Sequence, residues 1–153
     1  MEVQFAGQAL LIACEMEKRA IKLYERALLL FSQEDIASAI RAILTEEKRH
    51  LSQFETMRSA FPCDMKPDDE RLLQAESGDI LFQGGLMEAH RKGALCSAEA
   101  LFDYAANEER NAATCYTRFA ENTQGEAAQI FRAIAQEEQC HLCQLLTMKN
   151  AVK

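Results

Sequence analysis

The sequence contains an internal repeat, which restricts the fold to one built from two similar halves. Ten of the seventeen residues at positions 41–57 are identical to those at 132–148, an offset of 91. At an offset of 92, Glu17 aligns with Glu109, and a tyrosine seven residues later aligns as well. The two offsets differ by one residue, which falls in the connection inside each half. The chain is therefore predicted to contain one structural unit twice.

Each half contains two long segments in which apolar residues recur with helical periodicity. The segments cover about 5–31 and 35–60 in the first half, and about 97–122 and 126–150 in the second. A short polar connection separates the two segments of each half. Each half is therefore predicted to fold as an antiparallel helical hairpin.

The segment between the halves, residues 61–96, differs from the rest because it contains both prolines and four of the six glycines. An unstructured connection of this length is uncommon in a compact domain. A short helix is predicted from Pro67 to Ala75, since proline is favoured in a first helical turn and acidic residues follow it. The apolar residues 80–82 are expected to pack on the bundle or on a second chain.

These observations together predict an all-α fold and a single domain over residues 1–153. The expected architecture is an antiparallel four-helix bundle, in which hairpins at about 5–60 and 97–150 are joined by the long crossover 61–96.

Ionisable residues interrupt the apolar stripes that should face the core of this bundle. The stripes advance in steps of three and four, as expected for the buried face of a bundle helix. Each ionisable residue lies in mid-stripe with apolar neighbours on both sides. These residues are Glu17, Glu47, His50, Glu109, Glu138 and His141.

Four carboxylates directed at one region of a core require compensation. Desolvation alone costs several kcal/mol per ion in real proteins, before mutual repulsion is counted. Either some of the carboxyls are protonated, or cations are bound. Two divalent cations would neutralise four carboxylates while both histidines stay uncharged. A Glu and a His at positions i and i+3 lie on one helix face and can hold one ion together. Carboxylates and imidazoles without thiolates favour iron or manganese over structural zinc.

Other polar residues near the stripes allow more than one interpretation. Tyr24 and Tyr116 each follow a stripe glutamate by seven residues, at almost the same angular position. They are either core-filling side chains or groups that orient the carboxylates, and the shared register favours orientation. Glu46 and Glu137 lie off the stripes and are predicted to face solvent. The Cys-x-x-Cys pair beginning at Cys140 lies inside a helix, where unremarkable thiols are the favoured interpretation.

These motifs resemble the ferritin-like di-iron superfamily and, within it, the rubrerythrin-type proteins, without a rubredoxin domain. The resemblance covers nearly the whole chain and implies that Glu47 and Glu138 bridge two iron ions, with manganese as an alternative. The departures are Ala112, where rubrerythrins have a further glutamate, and a single Cys-x-x-Cys pair instead of two. The resemblance also implies that two Glu–His pairs are terminal ligands, namely Glu17 with His50 and Glu109 with His141. It implies that Tyr24 and Tyr116 orient ligand carboxylates.

The resemblance also implies partners, and the composition excludes others. The expected oxidant is hydrogen peroxide or O2, electrons are expected from an external donor protein, and the chain is expected to form a homodimer. The net charge of −7 argues against nucleic acid and anionic membranes, since both favour a basic surface. The absence of a signal-peptide pattern and of long apolar runs, together with six cysteines, predicts reduced thiols and a cytoplasmic location.

Three functions follow as hypotheses. The first is an oxidoreductase of peroxidase or ferroxidase type, in which oxidation of two Fe(II) ions is coupled to reduction of peroxide or O2. The second is a non-catalytic module that binds or delivers iron. The third is a metal-free structural bundle that dimerises through residues 80–82.

Overall fold

The structure, a computed structural model, describes residues 6–60 and 85–152, which form five α-helices and no strand. The all-α prediction is confirmed over these residues, and each end of the four long helices lies within one residue of its predicted position. The helices are α1 (Ala6–Leu30), α2 (Glu34–Ala60), α3 (Leu86–Arg91), α4 (Ala98–Glu121) and α5 (Gly125–Ala151).

Local side-chain hydrogen bonds explain where α4 begins and ends. The hydroxyl of Ser97 accepts a hydrogen bond from the backbone N–H of Ala100 at 3.1 Å, which satisfies a donor of the first turn. At the other end, the side chains of Asn122 and Thr123 donate to backbone carbonyls of the last turn, at 2.8 and 2.7 Å. Gly125 then adopts φ +66°, a left-handed conformation that favours glycine, and the chain enters α5.

The described part of the crossover contains α3, a helix that the sequence analysis does not predict. It follows Gly85, whose φ is +94°, and Ala89 on its inner face is fully buried. With six residues, α3 is too short to produce a recognisable apolar period. The helix predicted at 67–75 and the apolar residues 80–82 lie outside the described residues.

The long helices pack as a helical bundle around a charged layer. Helix α1 packs against α2, and α4 packs against α5. These two pairs meet through contacts between α1 and α4 and between α2 and α5, while α3 lies against α1. One apolar cluster contains Phe54, Tyr116 and Phe131, whose ring centroids are 5.2 to 6.1 Å apart. A second contains Ile40 and Phe102. The six ionisable stripe residues are buried in the same interior as these two clusters. Within residues 6–60 and 85–152, no helix combines the length and apolar character needed to cross a membrane.

Candidate metal centre

All six side chains predicted as metal ligands lie in one buried cluster. None is more than 3% exposed, although each is ionisable. Helices α1 and α4 contribute one glutamate each, and α2 and α5 contribute one glutamate and one histidine each. The stripe positions of the sequence therefore converge in space.

The cluster divides into two overlapping groups of four residues. In each group, one donor atom per residue can be chosen so that all four atoms lie within 4.8 Å of one another. Glu47 and Glu138 belong to both groups, so they lie between the two positions that a cation can occupy. The groups are Glu17, Glu47, His50 and Glu138, and Glu47, Glu109, Glu138 and His141.

Both histidines direct Nδ1 at the carboxylates. His50 Nδ1 lies 2.8 Å from Glu138 Oε1 and 3.6 Å from Glu17 Oε1. His141 Nδ1 lies 3.1 Å from Glu47 Oε1 and 3.7 Å from Glu109 Oε2. The two imidazole rings are nearly parallel, with centroids 5.8 Å apart and an interplanar angle of 28°. The donor atoms of each group therefore surround a common point.

Several of these donor atoms have no hydrogen-bond partner within the described residues, although they are buried. They are Oε2 of Glu17, Oε1 of Glu47, Nδ1 of His50 and Oε1 of Glu138. The last two atoms are 2.8 Å apart, but their contact lacks hydrogen-bond geometry. A buried polar atom left unsatisfied costs about 1–3 kcal/mol. Coordination to a cation would satisfy all four atoms, so the residues present fit a metal site.

The protonation of the cluster also indicates that positive charge is required. Burial, and then repulsion by Glu47, raises the pKa of Glu17 well above its usual value. Burial, followed by repulsion from neighbouring carboxylates, does the same to the pKa of Glu138. Burial would lower the pKa values of His50 and His141, but the close carboxylates around each ring outweigh it and raise both. Without metal, the cluster therefore retains protons that a cation would displace.

Glu47 has the opposite behaviour. Burial would raise its pKa, but the nearby imidazoles of His141 and His50 overcome this effect and lower the pKa to about 2. Glu47, one of the two carboxylates shared by both groups, is thus ionised at neutral pH and available to two cations.

Two further carboxylates contact the histidines from outside the cluster. His50 Nε2 lies 2.7 Å from Glu137 Oε2, and His141 Nε2 lies 2.7 Å from Glu46 Oε2. The sequence predicts that Glu46 and Glu137 face solvent; they are 45% and 35% exposed, yet each contacts a histidine of the facing helix. A carboxylate that accepts a bond from Nε2–H leaves Nδ1 as the metal-binding nitrogen and fixes the ring. The spacing of residues along one helix gives no signal for this contact.

Tyr24 and Tyr116 are buried and hydrogen-bond to carboxylates of the cluster. The hydroxyl of Tyr24 donates to Glu109 Oε1 at 2.6 Å, and that of Tyr116 donates to Glu17 Oε1 at 2.8 Å. Burial raises the pKa of both phenols, so they remain protonated donors. Each tyrosine therefore orients the glutamate of the opposite helix, not the glutamate seven residues before it on its own helix.

A small cavity of about 20 Å³ adjoins the cluster between α1 and α4. This volume holds about one water-sized molecule. Ala20 and Ala112, each three residues after a stripe glutamate, form part of its wall together with both tyrosines. The small side chains at these two positions therefore help to leave space beside the carboxylates.

The fold and the cluster together define a class: a helical bundle with buried carboxylates and imidazoles that can hold metal ions. No described cysteine belongs to a group that can hold a metal, and Cys140 and Cys143 are free, exposed thiols. No protein-family model, curated protein or solved structure matches the chain. The assignment to this class depends on the geometry of the cluster.

Proposed function

We propose that the chain is a ferritin-like, rubrerythrin-type di-iron protein that couples oxidation of two Fe(II) ions to reduction of hydrogen peroxide or O2. The proposal includes a single domain, an antiparallel four-helix topology, and an external protein that returns electrons to the site. The observation on which it depends is the pair of overlapping four-residue groups, buried and sharing Glu47 and Glu138.

The donor set supports iron, with manganese as an alternative. Four carboxylates and two imidazoles, with no thiolate, suit iron or manganese better than a structural zinc ion. One glutamate from each of two helices and Glu-x-x-His from each of the other two is the ligand pattern of di-iron and di-manganese carboxylate bundles. Two bound divalent ions would balance the charge of the four carboxylates.

The chain's own residues perform the remaining tasks. Glu137 and Glu46 hold the two histidines with Nδ1 directed inward, and Tyr116 and Tyr24 hold the terminal glutamates. The surrounding apolar side chains exclude bulk water. When bound, two Fe(II) ions would supply the two electrons that convert one hydrogen peroxide and two protons into two water molecules.

The size of the cavity supports a small oxidant. Its volume of about 20 Å³ is enough for about one water-sized molecule, which suits hydrogen peroxide or O2. It also lies directly against Glu17, Glu47 and Glu109, so a molecule within it would be adjacent to the metal positions.

A second candidate function, iron binding or delivery without turnover, is supported by a different observation. Glu46, His50 and Glu137 form a third group whose donor atoms lie within 4.8 Å of one another, and its two glutamates are part-exposed. This group adjoins the buried cluster on a side that solvent reaches, where an ion could pass between the two.

Anaerobic loading of the metal-free protein with Fe(II), followed by metal analysis and addition of peroxide, tests these functions. The proposed enzyme should bind about two irons per chain and consume peroxide with oxidation of iron, visible as a new absorption band that a reductant bleaches. Reversible release of Fe(II) without peroxide consumption would instead favour delivery. Binding of no iron would leave the metal-free structural bundle.

A matched pair of variants separates metal binding from folding. Glu47→Ala with Glu138→Ala should abolish iron binding, because both shared carboxylates are lost. Glu55→Ala with Glu126→Ala is the control, since these residues are exposed on the same two helices. A folded Glu47→Ala/Glu138→Ala protein that retains iron and activity would contradict the proposal.

A further inference from the structure

The two cation positions are related by the internal repeat, but their surroundings are not identical. The first position is defined by Glu17 and His50, and the second by Glu109 and His141, with Glu47 shared. The offsets of 92 and 91 residues align the ligands of one position with those of the other. The two positions therefore differ wherever a residue beside one of them is charged and its aligned residue beside the other is not.

Arg49 is the first such departure. Its guanidinium donates a hydrogen bond to Glu137 Oε2, the same oxygen that lies 2.7 Å from His50 Nε2. A second nitrogen of Arg49 donates to Gln53 Oε1 at 3.2 Å, which holds the side chain in place. The aligned residue on α5 is Cys140, a free thiol. At the first position, the carboxylate that contacts the histidine is therefore also bonded to a positively charged side chain. At the second position, the aligned residue is uncharged.

The wall of the cavity contains two more departures, and both act in the same direction. Met16 precedes Glu17, whereas the aligned residue before Glu109 is Glu108, and both Met16 and Glu108 line the cavity. The second position therefore has an additional acidic neighbour.

Arg19, two residues after Glu17, also lines the cavity, and its aligned residue is the neutral Asn111. Glu15 and its counterpart Asn107 differ in the opposite sense. Glu15, however, lies outside the cavity wall and forms an ion pair with Lys18 at 3.2 Å. Taken together, Arg49, Arg19 and Glu108 thus make the surroundings of the first position more positive than those of the second.

A positive charge beside a metal position weakens cation binding by direct repulsion. An arginine on the carboxylate that accepts the imidazole N–H also withdraws electron density from that carboxylate, so the histidine becomes a poorer donor. We propose that the two metal positions are inequivalent, with the Glu109–His141 position binding a divalent cation more tightly and filling first, and that Arg49 causes much of the difference. This inference depends on the metal binding put forward above as part of the function.

Titration of the metal-free protein with Mn(II), followed by calorimetry and electron paramagnetic resonance, tests the inference without requiring activity. The wild type should bind two ions in two steps whose affinities differ by about tenfold or more, the size of effect that groups hydrogen-bonded to ligands produce. Crystals grown with one equivalent of Mn(II) should show anomalous scattering mainly at the Glu109–His141 position.

Variants assign the difference to Arg49. Arg49→Gln should bring the two affinities closer by several-fold, and Cys140→Arg should weaken the second position. Arg41→Gln is the matched control, because Arg41 is an exposed arginine of the same helix that also pairs with a glutamate, Glu34 at 2.8 Å. The two-step binding of this control should be unchanged.

Two results would overturn the inference while leaving the proposed function intact: equal affinities in the wild type, or first occupancy at the Glu17–His50 position. Binding of no Mn(II) and no Fe(II) would instead overturn the metal site itself. The one-equivalent crystal uses the wild-type chain, so the outcome does not depend on whether Arg49→Gln folds.

Discussion

Raising the pH from 7 to 8 should destabilise the metal-free protein. The pKa values of Glu17, Glu138, His50 and His141 are all raised in the folded chain. Burial is the main cause for the glutamates, whereas for the histidines the close carboxylates outweigh the opposing effect of burial. In the unfolded chain at this pH the glutamates are ionised and the histidines are mostly neutral. The folded state therefore binds more protons, and the free energy of unfolding falls as pH rises.

The magnitude follows from the number of protons retained. Each extra proton in the folded state changes the free energy of unfolding by about 1.4 kcal/mol per pH unit. If two of the four groups retain their protons, the loss is about 2.7 kcal/mol, which is large against a typical total of about 5–15 kcal/mol. In a chain of this length the midpoint of thermal unfolding should fall by about 5–11 °C. Glu47, with its pKa lowered to about 2, stays ionised throughout and does not contribute to the slope.

Urea unfolding of chelator-treated protein at pH 7 and pH 8, followed by circular dichroism, measures this slope. Loading with metal should remove it, because bound cations displace the ligand protons, and should raise stability at both pH values. The Glu17→Gln/Glu138→Gln double variant should show a smaller slope than the wild type, since two titrating carboxyls are gone. Stability that is unchanged or greater at pH 8 in the metal-free wild type would refute the reasoning.

Three further predictions concern single side chains. Ala112→Leu should fill the cavity beside the carboxylates and slow peroxide consumption by roughly tenfold or more in stopped-flow assays, with iron stoichiometry unchanged; Ala112→Ser should react normally. Tyr116→Phe removes the donor to Glu17 and should weaken Mn(II) binding by about tenfold in calorimetry, whereas equal affinity would exclude an orienting role. Phe54→Ala, at a fully buried ring, should lower the free energy of unfolding by about 3–5 kcal/mol in urea, and a loss below about 1 kcal/mol would contradict the packing described.

The sequence predicts the long helices and the buried cluster because both depend on periodicity along one helix. An ionisable residue such as Glu47, placed between Ile43 and His50 on an apolar stripe, has to face the core if the stripe does. The repeat adds a second copy of the same constraint around Glu138. Positions fixed by a helix's own geometry are therefore predictable.

Contacts between helices are less accessible from the sequence. The spacing of Tyr24 after Glu17 predicts that both face the core, but not that the phenol reaches Glu109 of α4. Glu137 lies off its stripe, and its contact with His50 depends on the distance between α2 and α5. Helix α3 is missed for a different reason, since it is short and is positioned by packing against α1.

The hydrogen bonds that link Tyr24, Tyr116 and the Nε2 atoms of His50 and His141 to glutamates run from one half of the repeat to the other. Tyr24 bonds to Glu109, and His50 contacts Glu137, with the reciprocal pairs related by the repeat. Neither half alone contains the glutamates to which these two phenols and two Nε2 atoms bond. A polypeptide consisting of one half would need a second copy of itself to make these bonds. The chain thus corresponds to a two-subunit assembly fused into one polypeptide, in which each subunit holds the ligands of the other.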